Sequence, residues 1–491
     1  MAMLRVAFQT LGCKLNQLET ESIADKFLDA GAEIVPFHEE ADLYIVNTCT
    51  VTSKAEQKAR HDIRSAIHKV RNTTVIATGC YAQMDSEDLS FLDERVIVIS
   101  GDLKASLLLL PQWLLANWQG HGDLFHAVLE WRDEILAAAK GSEALSNESG
   151  KTNTIDLSLC NRFAFHPERF LMHSRPALKI QDGCNNRCTY CRVCLARGPS
   201  VSLPVEDALS RVIDLERAGK AEVVLTGVNL AQYRAGGLDF AGILASMIKE
   251  TSNIRFRISS YEPENIDEAF LATFAHPRVR PHLHLSVQSG CTETLRRMGR
   301  PYSAQDVRFA VQNLRSVRSD PFLAADIIAG FPAETESEFE NTIALLSELD
   351  FAWIHAFPFS PRQGTRAADM KPRIPERIAC ERVDRLLELA KHGKRSYIER
   401  WLGHEVEMVI EHEASADKHN GDENRATDYA SARIVGTTEN YLKAMIEASE
   451  RVEQSIMPGR AGDSVKVVLH SKGESALADG AIDVLATISS K

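Results

Sequence analysis

Three cysteines within one octapeptide, Cys184, Cys188 and Cys191 of CNNRCTYC, constrain this chain more than any other feature. A C-x3-C-x2-C array puts three thiols on one short loop, and the fold around it must present that loop to a metal group. Three thiolates can hold three irons of a 4Fe-4S cubane, whereas a closed electron-transfer cluster takes four cysteines. One iron is then left open, by the logic that separates catalytic zinc sites with three protein ligands from structural ones with four. Two other readings stay open on spacing alone. Zinc sites pair C-x2-C units and finish with Cys or His, which unequal gaps fit poorly. Cys194 adds a fourth thiol that can close a ferredoxin-like cluster. Bacterial ferredoxin runs, however, place the three-residue gap last with Pro after it, while here that gap comes first and Leu195 follows.

Composition sets outer bounds. A chain of 491 residues with 44% hydrophobic residues holds about three domains, each able to bury a core. The start MAMLRVAFQTLGC has no sustained apolar stretch, and the most lipid-like run, LLLLPQWLLANW, is short and interrupted by Pro111, which predicts a soluble cytoplasmic protein with no membrane partner. Ten irregularly spaced cysteines in such a chain read as metal ligands or free thiols, not as a disulfide framework. The net charge of -12 argues against generic nucleic-acid binding, which needs clustered Lys and Arg.

The first hundred residues alternate strand and helix signals: RVAFQTLG, the helical ETESIADKFLDAG closed by Gly31, DLYIVNTC, the helical KAEQKARHDIRSAIHKV, and TTVIATGC. This order predicts an α/β domain with a parallel sheet over 1–102. Cys13, Cys49 and Cys80 each fall just past a strand's carboxyl end, the edge where open α/β sheets bind ligands, so three more thiols converge on one site. A single buried cysteine packs well at a strand end without any such role; the threefold repetition in polar turn settings, LGCKLNQ, NTCTVT and TGCYAQ, favours a second metal site.

Residues 103–165 read as an insertion with a flexible linker, SEALSNESGKTNT, in which His121 and His126 are surface or packing residues and Cys160 is a free thiol. Over 166–397 repeated strand and helix segments, from ALKIQDGC through AEVVLTGVNL, IRFRISS, HLHLSVQSG and FLAADIIAGFP to FAWIHAFPFSP, predict a β/α barrel or part of one. Thr226-Gly227, Ser259-Ser260, Ser286 to Gly290 and Asp326 stand at strand ends, where a ligand of the cysteine loop is met. Over 398–470 the short strands HEVEMVIEHE, SARIVG, LKAMIEAS and SVKVVLH predict a small all-β barrel, with 471–491 as a tail.

These strings are similar to those of the radical S-adenosylmethionine (radical SAM) methylthiotransferases. The C-x3-C-x2-C loop resembles the superfamily's cluster motif. The trio Cys13, Cys49 and Cys80 resembles that family's N-terminal domain, and LTGVNL, RISSYEP, LSVQSGCTETLRRMGRPY, DIIAGFPAETESEFE and FSPRQGTRAADM its core, so the likeness spans most of residues 1–470. GTTENYLKAMIE resembles the TRAM domain, an RNA-binding module. The resemblance implies two 4Fe-4S clusters, one on Cys184, Cys188 and Cys191 that binds and cleaves SAM to an adenosyl radical, the other on Cys13, Cys49 and Cys80 that carries the sulfur, with a second SAM as methyl donor. It implies that Thr226 and Gly227 approach the SAM amino group and that Ser286, Gln288 and Asp326 line the SAM or substrate cleft. Two departures stand out. PSVSLP replaces a Glu- and Arg-rich stretch after Gly198, and Ala333 replaces the Gly of GFPGET.

LGCKLNQLETE, RISSYEP and GTTENYLK look most like the branch that acts on threonylcarbamoyladenosine at position 37 of tRNA. The expected product carries a methylthio group at carbon 2, and the expected partners are tRNA, a flavodoxin- or ferredoxin-type electron donor and a sulfur source. Isopentenyladenosine tRNA or a ribosomal-protein aspartate are the alternatives within the family; a non-catalytic iron-sulfur RNA-binding sensor is the alternative outside it. From 401 to 470 thirteen acidic residues face seven basic ones, so that domain alone predicts weak RNA binding. Arg296, Arg297, Arg300, Lys391, Lys394, Arg395 and Arg400 are the better candidates for phosphate contact.

Overall fold

The computed structural model describes residues 3–120, 122–140, 157, 160–414, 433–447, 461–470 and 482–489. His121, the SEALSNESGKTNT linker and much of the acidic excess between 415 and 460 lie outside them. The chain forms two compact units, one of residues 1–172, 179–203 and 360–369, the other of 173–178, 204–359 and 370–491.

The first unit is built on a sheet of β1 (Arg5–Thr10), β2 (Glu33–Val35), β3 (Leu43–Thr48), β4 (Thr74–Gly79) and β5 (Val96–Val98), in the order β2-β1-β3-β4-β5 with every pairing parallel. Side chains of a strand alternate between faces, and here both faces are apolar, as a parallel sheet covered on both sides requires. Val6, Phe8, Leu43, Ile45, Ile76 and Ile97 belong to one core, shared with Ile23, Ala24 and Phe27 of the helix Lys14–Asp29. Ala7, Tyr44, Val46, Val75, Ala77 and Val96 belong to the other, shared with Ala59, Ile63, Ala66 and Ile67 of the helix Ser53–Lys69. That second helix starts on Thr52, whose side chain accepts from the Ala55 amide and so satisfies one unpaired first-turn donor.

Two helices of the stretch 103–165 pack on the first core. The helices Leu110–Asn117 and Leu124–Ala139 close the first core with Leu110, Trp113, Leu114, Val128, Trp131 and Ile135; Trp131 is fully buried. Burying these side chains, at about 1.5–3 kcal/mol for each large one, binds the two helices to the sheet.

The strands β6 (Ala177–Lys179), β7 (Gln181–Asp182) and β8 (Val201–Ser202) bracket the cysteine loop, with β7 and β8 paired antiparallel. In the second unit β9 (Glu222–Thr226) and β10 (Arg255–Ile258) pair in parallel, with β6 beside β9. A further parallel sheet runs β11 (Ser260–Tyr261), β12 (His282–Gln288), β13 (Phe322–Ala329) and β14 (Trp353–Pro358). Two parallel sheets with intervening helices such as Val205–Arg217 and Glu336–Leu349 make the partial barrel. The latter helix begins with a reciprocal Thr335–Glu338 capping box.

β15 (Glu405–Ala414), β16 (Arg433–Thr438), β17 (Lys443–Glu447), β18 (Ser464–Leu469) and β19 (Val484–Ile488) form a closed barrel in the order β15-β16-β17-β19-β18. The closing strand comes from the stretch read as a tail. Without it β17 and β18 would expose unpaired edges. Within this unit Glu222, Arg257 and Arg280 are fully buried and interlocked, and Arg280 also reaches Glu407 of β15 at 2.8 Å. Part of the C-terminal domain's acidity is therefore neutralised internally: Arg175 and Lys443 meet Glu411, and Lys466 meets Glu405.

Ala333 stands in the left-handed region at φ 61, its amide donating to the Pro372 carbonyl at 2.9 Å. A Cβ is disfavoured there by about 1–2 kcal/mol, and glycine's greater freedom in the unfolded chain offsets part of that. Ala333→Gly should raise stability by about 0.5–1 kcal/mol. A urea midpoint unchanged or lowered in the variant would contradict this account of the loop.

Candidate active site

Both cysteine trios lie in the first unit. Cys13 caps the helix Lys14–Asp29 directly after β1, Cys49 follows β3, and Cys80 opens the helix Cys80–Met84 after β4, so three adjacent parallel strands deliver three thiols to one edge. Local chemistry makes the approach close. Gly12 has φ 96, and a Cβ there would fall 2.6 Å from the Cys49 sulfur, so only glycine lets the Cys13 and Cys49 loops touch. Asn16 then ties the loops together, donating to the carbonyls of Leu11 at 2.8 Å and Thr48 at 3.1 Å. Burial pushes the Cys49 thiol up to about 12, with Cys13 and Cys80 adding repulsion against its ionised form. Metal binding, which removes thiol protons, would discharge that penalty.

The second trio occupies the loop between β7 and β8. Gly183, at φ 69, passes so close to Pro199 that a Cβ would lie 2.0 Å from its carbonyl oxygen. The Cys184 sulfur accepts from the Asn186 amide at 3.4 Å and the Cys191 sulfur from Val193 at 3.4 Å, while burial and the surrounding thiols Cys188, Cys194 and Cys184 push Cys191 up to about 12. Cys184, Cys188, Cys191 and Cys194 line one cavity of about 620 Å³ together with Gly364, Thr365 and Arg366. Clustered thiols, two of them accepting backbone N–H donation, suit an iron-sulfur group. Among the described residues no three His, Cys, Asp or Glu side chains close around a single ion. A cubane sets a different demand, one thiolate for each of three separate irons.

Between the trios lies a buried ionic knot. Glu19 is met by Lys104 at 2.5 Å, by Lys179 at 3.0 Å and by Arg197 at 3.0 Å, and Asp182 by Lys179 at 2.7 Å and Arg197 at 3.1 Å. Burial alone would push the Glu19 carboxyl up, yet the charges of Arg197, Lys104 and Lys179 hold it well below the usual carboxylate range. A separate pair of arginines serves the Cys49 loop. Arg192 donates to both oxygens of Asp85 at 2.9 and 3.2 Å, while Arg362 donates to Ser53, Thr50 and Glu56. None of these partners has a readable sequence signal, because they come from segments far apart in the chain.

In the second unit Thr226 ends β9, buried, with Gly227 next to it. Ser286 and Gln288 lie on β12, the latter buried in a positive-φ bulge at φ 65, and Asp326 lies on β13. Asp326 meets His284 Nε2 at 2.9 Å, and the His284 ring is 4.8 Å from that of His355, whose Nδ1 accepts from Trp353 at 3.3 Å. The two histidines were not singled out in the sequence. The alternation of HLHLSVQ, which leaves His284 and Ser286 partly exposed between buried Leu283, Leu285 and Val287, carried that signal.

Most of the basic residues expected to meet phosphate already have acidic partners. Arg300 is buried against Glu262, Arg297 forks onto Glu338, Lys394 meets Asp483, Lys391 meets Glu388, and Arg400 meets Asp320 and Asp350. Arg296 and Arg395 are exposed. Cys160 is in no disulfide and lines a cavity of about 230 Å³ with Cys80, Lys104 and Arg197; His126 is exposed and bonded to Asp123. No described helix is long and apolar enough to cross a membrane.

A C-x3-C-x2-C loop, a partial β/α barrel and a further strand-end cysteine trio on an α/β sheet are the parts of a radical SAM enzyme with an added N-terminal domain. Residues 178–346 match the Radical SAM superfamily and residues 5–101 match the Uncharacterized protein family UPF0004. The chain is 41% identical, over 96% of its length and 99% of the relative, to a Treponema pallidum protein named Threonylcarbamoyladenosine tRNA methylthiotransferase MtaB. It is 32% identical to the Aquifex aeolicus protein of that name, covering 83% of this chain and 93% of the other. Against the tRNA-2-methylthio-N(6)-dimethylallyladenosine synthase of Erythrobacter litoralis identity is 28%, over 82% and 85% of the two chains. The chain belongs to the radical SAM methylthiotransferase family. Membership of the superfamily brings a 4Fe-4S cluster and SAM as cofactors.

The fourth thiol, Cys194, bonds weakly to the Cys191 carbonyl at 3.8 Å, inside its own short helix Val193–Arg197. Cys194→Ser should therefore leave both iron content and SAM cleavage near the parent level. Bleaching of the visible iron-sulfur absorbance in the variant under anaerobic conditions would make Cys194 a ligand and close the open iron.

Proposed function

We propose that this chain adds a methylthio group to carbon 2 of threonylcarbamoyladenosine at position 37 of tRNA, using two 4Fe-4S clusters and SAM as both radical source and methyl donor. The observation that carries the reading is the pair of cysteine trios in one unit of a chain whose near-full-length relative bears that name. Replacing an unactivated aromatic C–H by C–S lies beyond general bases and ordinary nucleophiles, and the cofactors supply the radical chemistry when bound.

The protein's own residues hold and orient. Cys184, Cys188 and Cys191 would hold the SAM-binding cluster; Cys13, Cys49 and Cys80 would hold the auxiliary one. Thr226 and Gly227 are assigned to the SAM amino group, and Ser286, Gln288 and Asp326 to SAM or substrate, with His284 orienting the Asp326 carboxylate. The partners implied are tRNA, an electron donor of flavodoxin or ferredoxin type and a sulfur source. Cytoplasmic tRNA is the expected target.

Anaerobic reconstitution should give about eight irons per chain, four for each cubane. Replacing Cys184, Cys188 and Cys191 by Ala should halve that figure and abolish SAM cleavage. Replacing Cys13, Cys49 and Cys80 should also halve it while sparing some cleavage without methylthiolated product. Full iron content in that second triple variant would remove the auxiliary cluster from the scheme.

Substrate choice is tested by mass spectrometry of tRNA nucleosides. Cells lacking the protein should lose the methylthio form of threonylcarbamoyladenosine and keep that of isopentenyladenosine. In vitro, a site built around polar carbamoyl and carboxylate groups should discriminate against the isopentenyl substrate by about 10⁴-fold, since its polar partners would be left unpaired. Efficient turnover of isopentenylated tRNA or of a ribosomal protein would reassign the branch.

A further inference from the structure

The helix Val193–Arg197 starts two residues after Cys191, and its last residue ends not on its own cysteine loop but on the other trio's supports. Arg197 Nη2 donates to Asn16 Oδ1 at 2.8 Å and to Glu19 Oε2 at 3.2 Å, and Nη1 donates to Glu19 Oε1 at 3.0 Å and Asp182 Oδ1 at 3.1 Å. Asn16 and Glu19 lie in the first turns of the helix that Cys13 caps. One planar guanidinium thus joins the element carrying Cys191 to the element carrying Cys13, with a fork geometry that lysine does not reproduce.

The charge balance around it is uneven. Lys104, Lys179 and Arg197 face only Glu19 and Asp182, and adding Arg162 and Asp102, which line the same cavity, leaves one positive charge in excess. A buried cation in excess is unfavourable unless an anion faces it. Cys80 lines that cavity together with Lys104 and Arg197, so a group held on its thiol faces the cation.

We propose that Arg197 is a positioning residue that ties the two cysteine trios together and supplies the buried positive charge facing the auxiliary cluster. The assignment rests on the two-cluster reading above. A fixed cation beside a cluster favours its more negative, reduced form, so removing the charge lowers the reduction potential. Arg192 and Arg362 brace the Cys49 loop against Glu56 and Asp85, where carboxylates offset them, and they carry no comparable excess.

The test is an EPR-monitored redox titration of anaerobically reconstituted full-length Arg197→Met and Arg197→Lys proteins, with iron content measured alongside. In Arg197→Met, which keeps much of the packing but loses the charge, the reduced-to-oxidised ratio of the auxiliary cluster at fixed poise should fall at least tenfold, about 59 mV for a one-electron couple. Arg197→Lys should stay within about threefold of the parent while the magnetic coupling between the two reduced clusters changes, because the charge remains and the fork is lost. Loss of about four irons from Arg197→Met, with about eight retained in Arg197→Lys, would support the same assignment. Parent-like potentials in both variants, or equal iron loss in both, would reduce Arg197 to a packing residue and overturn it. A parent protein holding only about four irons would sink the two-cluster reading itself, a result visible before any substitution is made.

Discussion

A single buried carboxylate, Glu19, organises the unit that carries both cysteine trios. Three cations from three segments converge on it: Lys104 after the N-terminal sheet, Lys179 at the end of β6, and Arg197 beyond the second cysteine loop. Burying five charged groups is costly, and the arrangement holds only because each charge finds its opposite at hydrogen-bond distance. Its consequence is geometric. The cysteine loop cannot drift from the N-terminal sheet without stranding charges in a dry interior.

Around that knot, small features make close approach possible. Glycine precedes Cys13 and Cys184 where backbone or sulfur leaves no room for a Cβ, and Asn16 bridges the carbonyls of two cysteine-bearing loops. Burial pushes the Cys49 and Cys191 thiols up to about 12, which disfavours free nucleophilic thiolates at both places. The same economy governs the second unit, where Glu222 draws Arg257 and Arg280 inward and Arg280 fastens the C-terminal barrel. Basic residues that look available for phosphate in a linear reading are consumed in such pairs, and surface charge cannot be counted from sequence alone.

Family membership is carried by similarity along almost the whole chain, while the fold explains why the matched positions matter. A parallel sheet delivers residues separated by tens of positions to one edge, which is how Cys13, Cys49 and Cys80 become neighbours. The β12 to β14 strands do the same for His284, Asp326 and His355, which belong to three different segments.

Much was legible in the linear order. Alternating strand and helix periods gave the parallel N-terminal sheet, the partial barrel and the strands of the small barrel, because local hydrophobic periodicity follows directly from which face each element buries. The C-x3-C-x2-C loop was readable because its three cysteines are adjacent in the chain. What only tertiary structure decided were the partners of long-range charges and of distant segments: the Glu19 knot, Arg197 reaching the Cys13 helix, Trp131 entering the first core, and Val484–Ile488 closing a barrel. Ion pairs and edge-strand pairings between distant segments leave no periodic trace, since their cause is proximity in three dimensions, which the sequence encodes only through the whole fold.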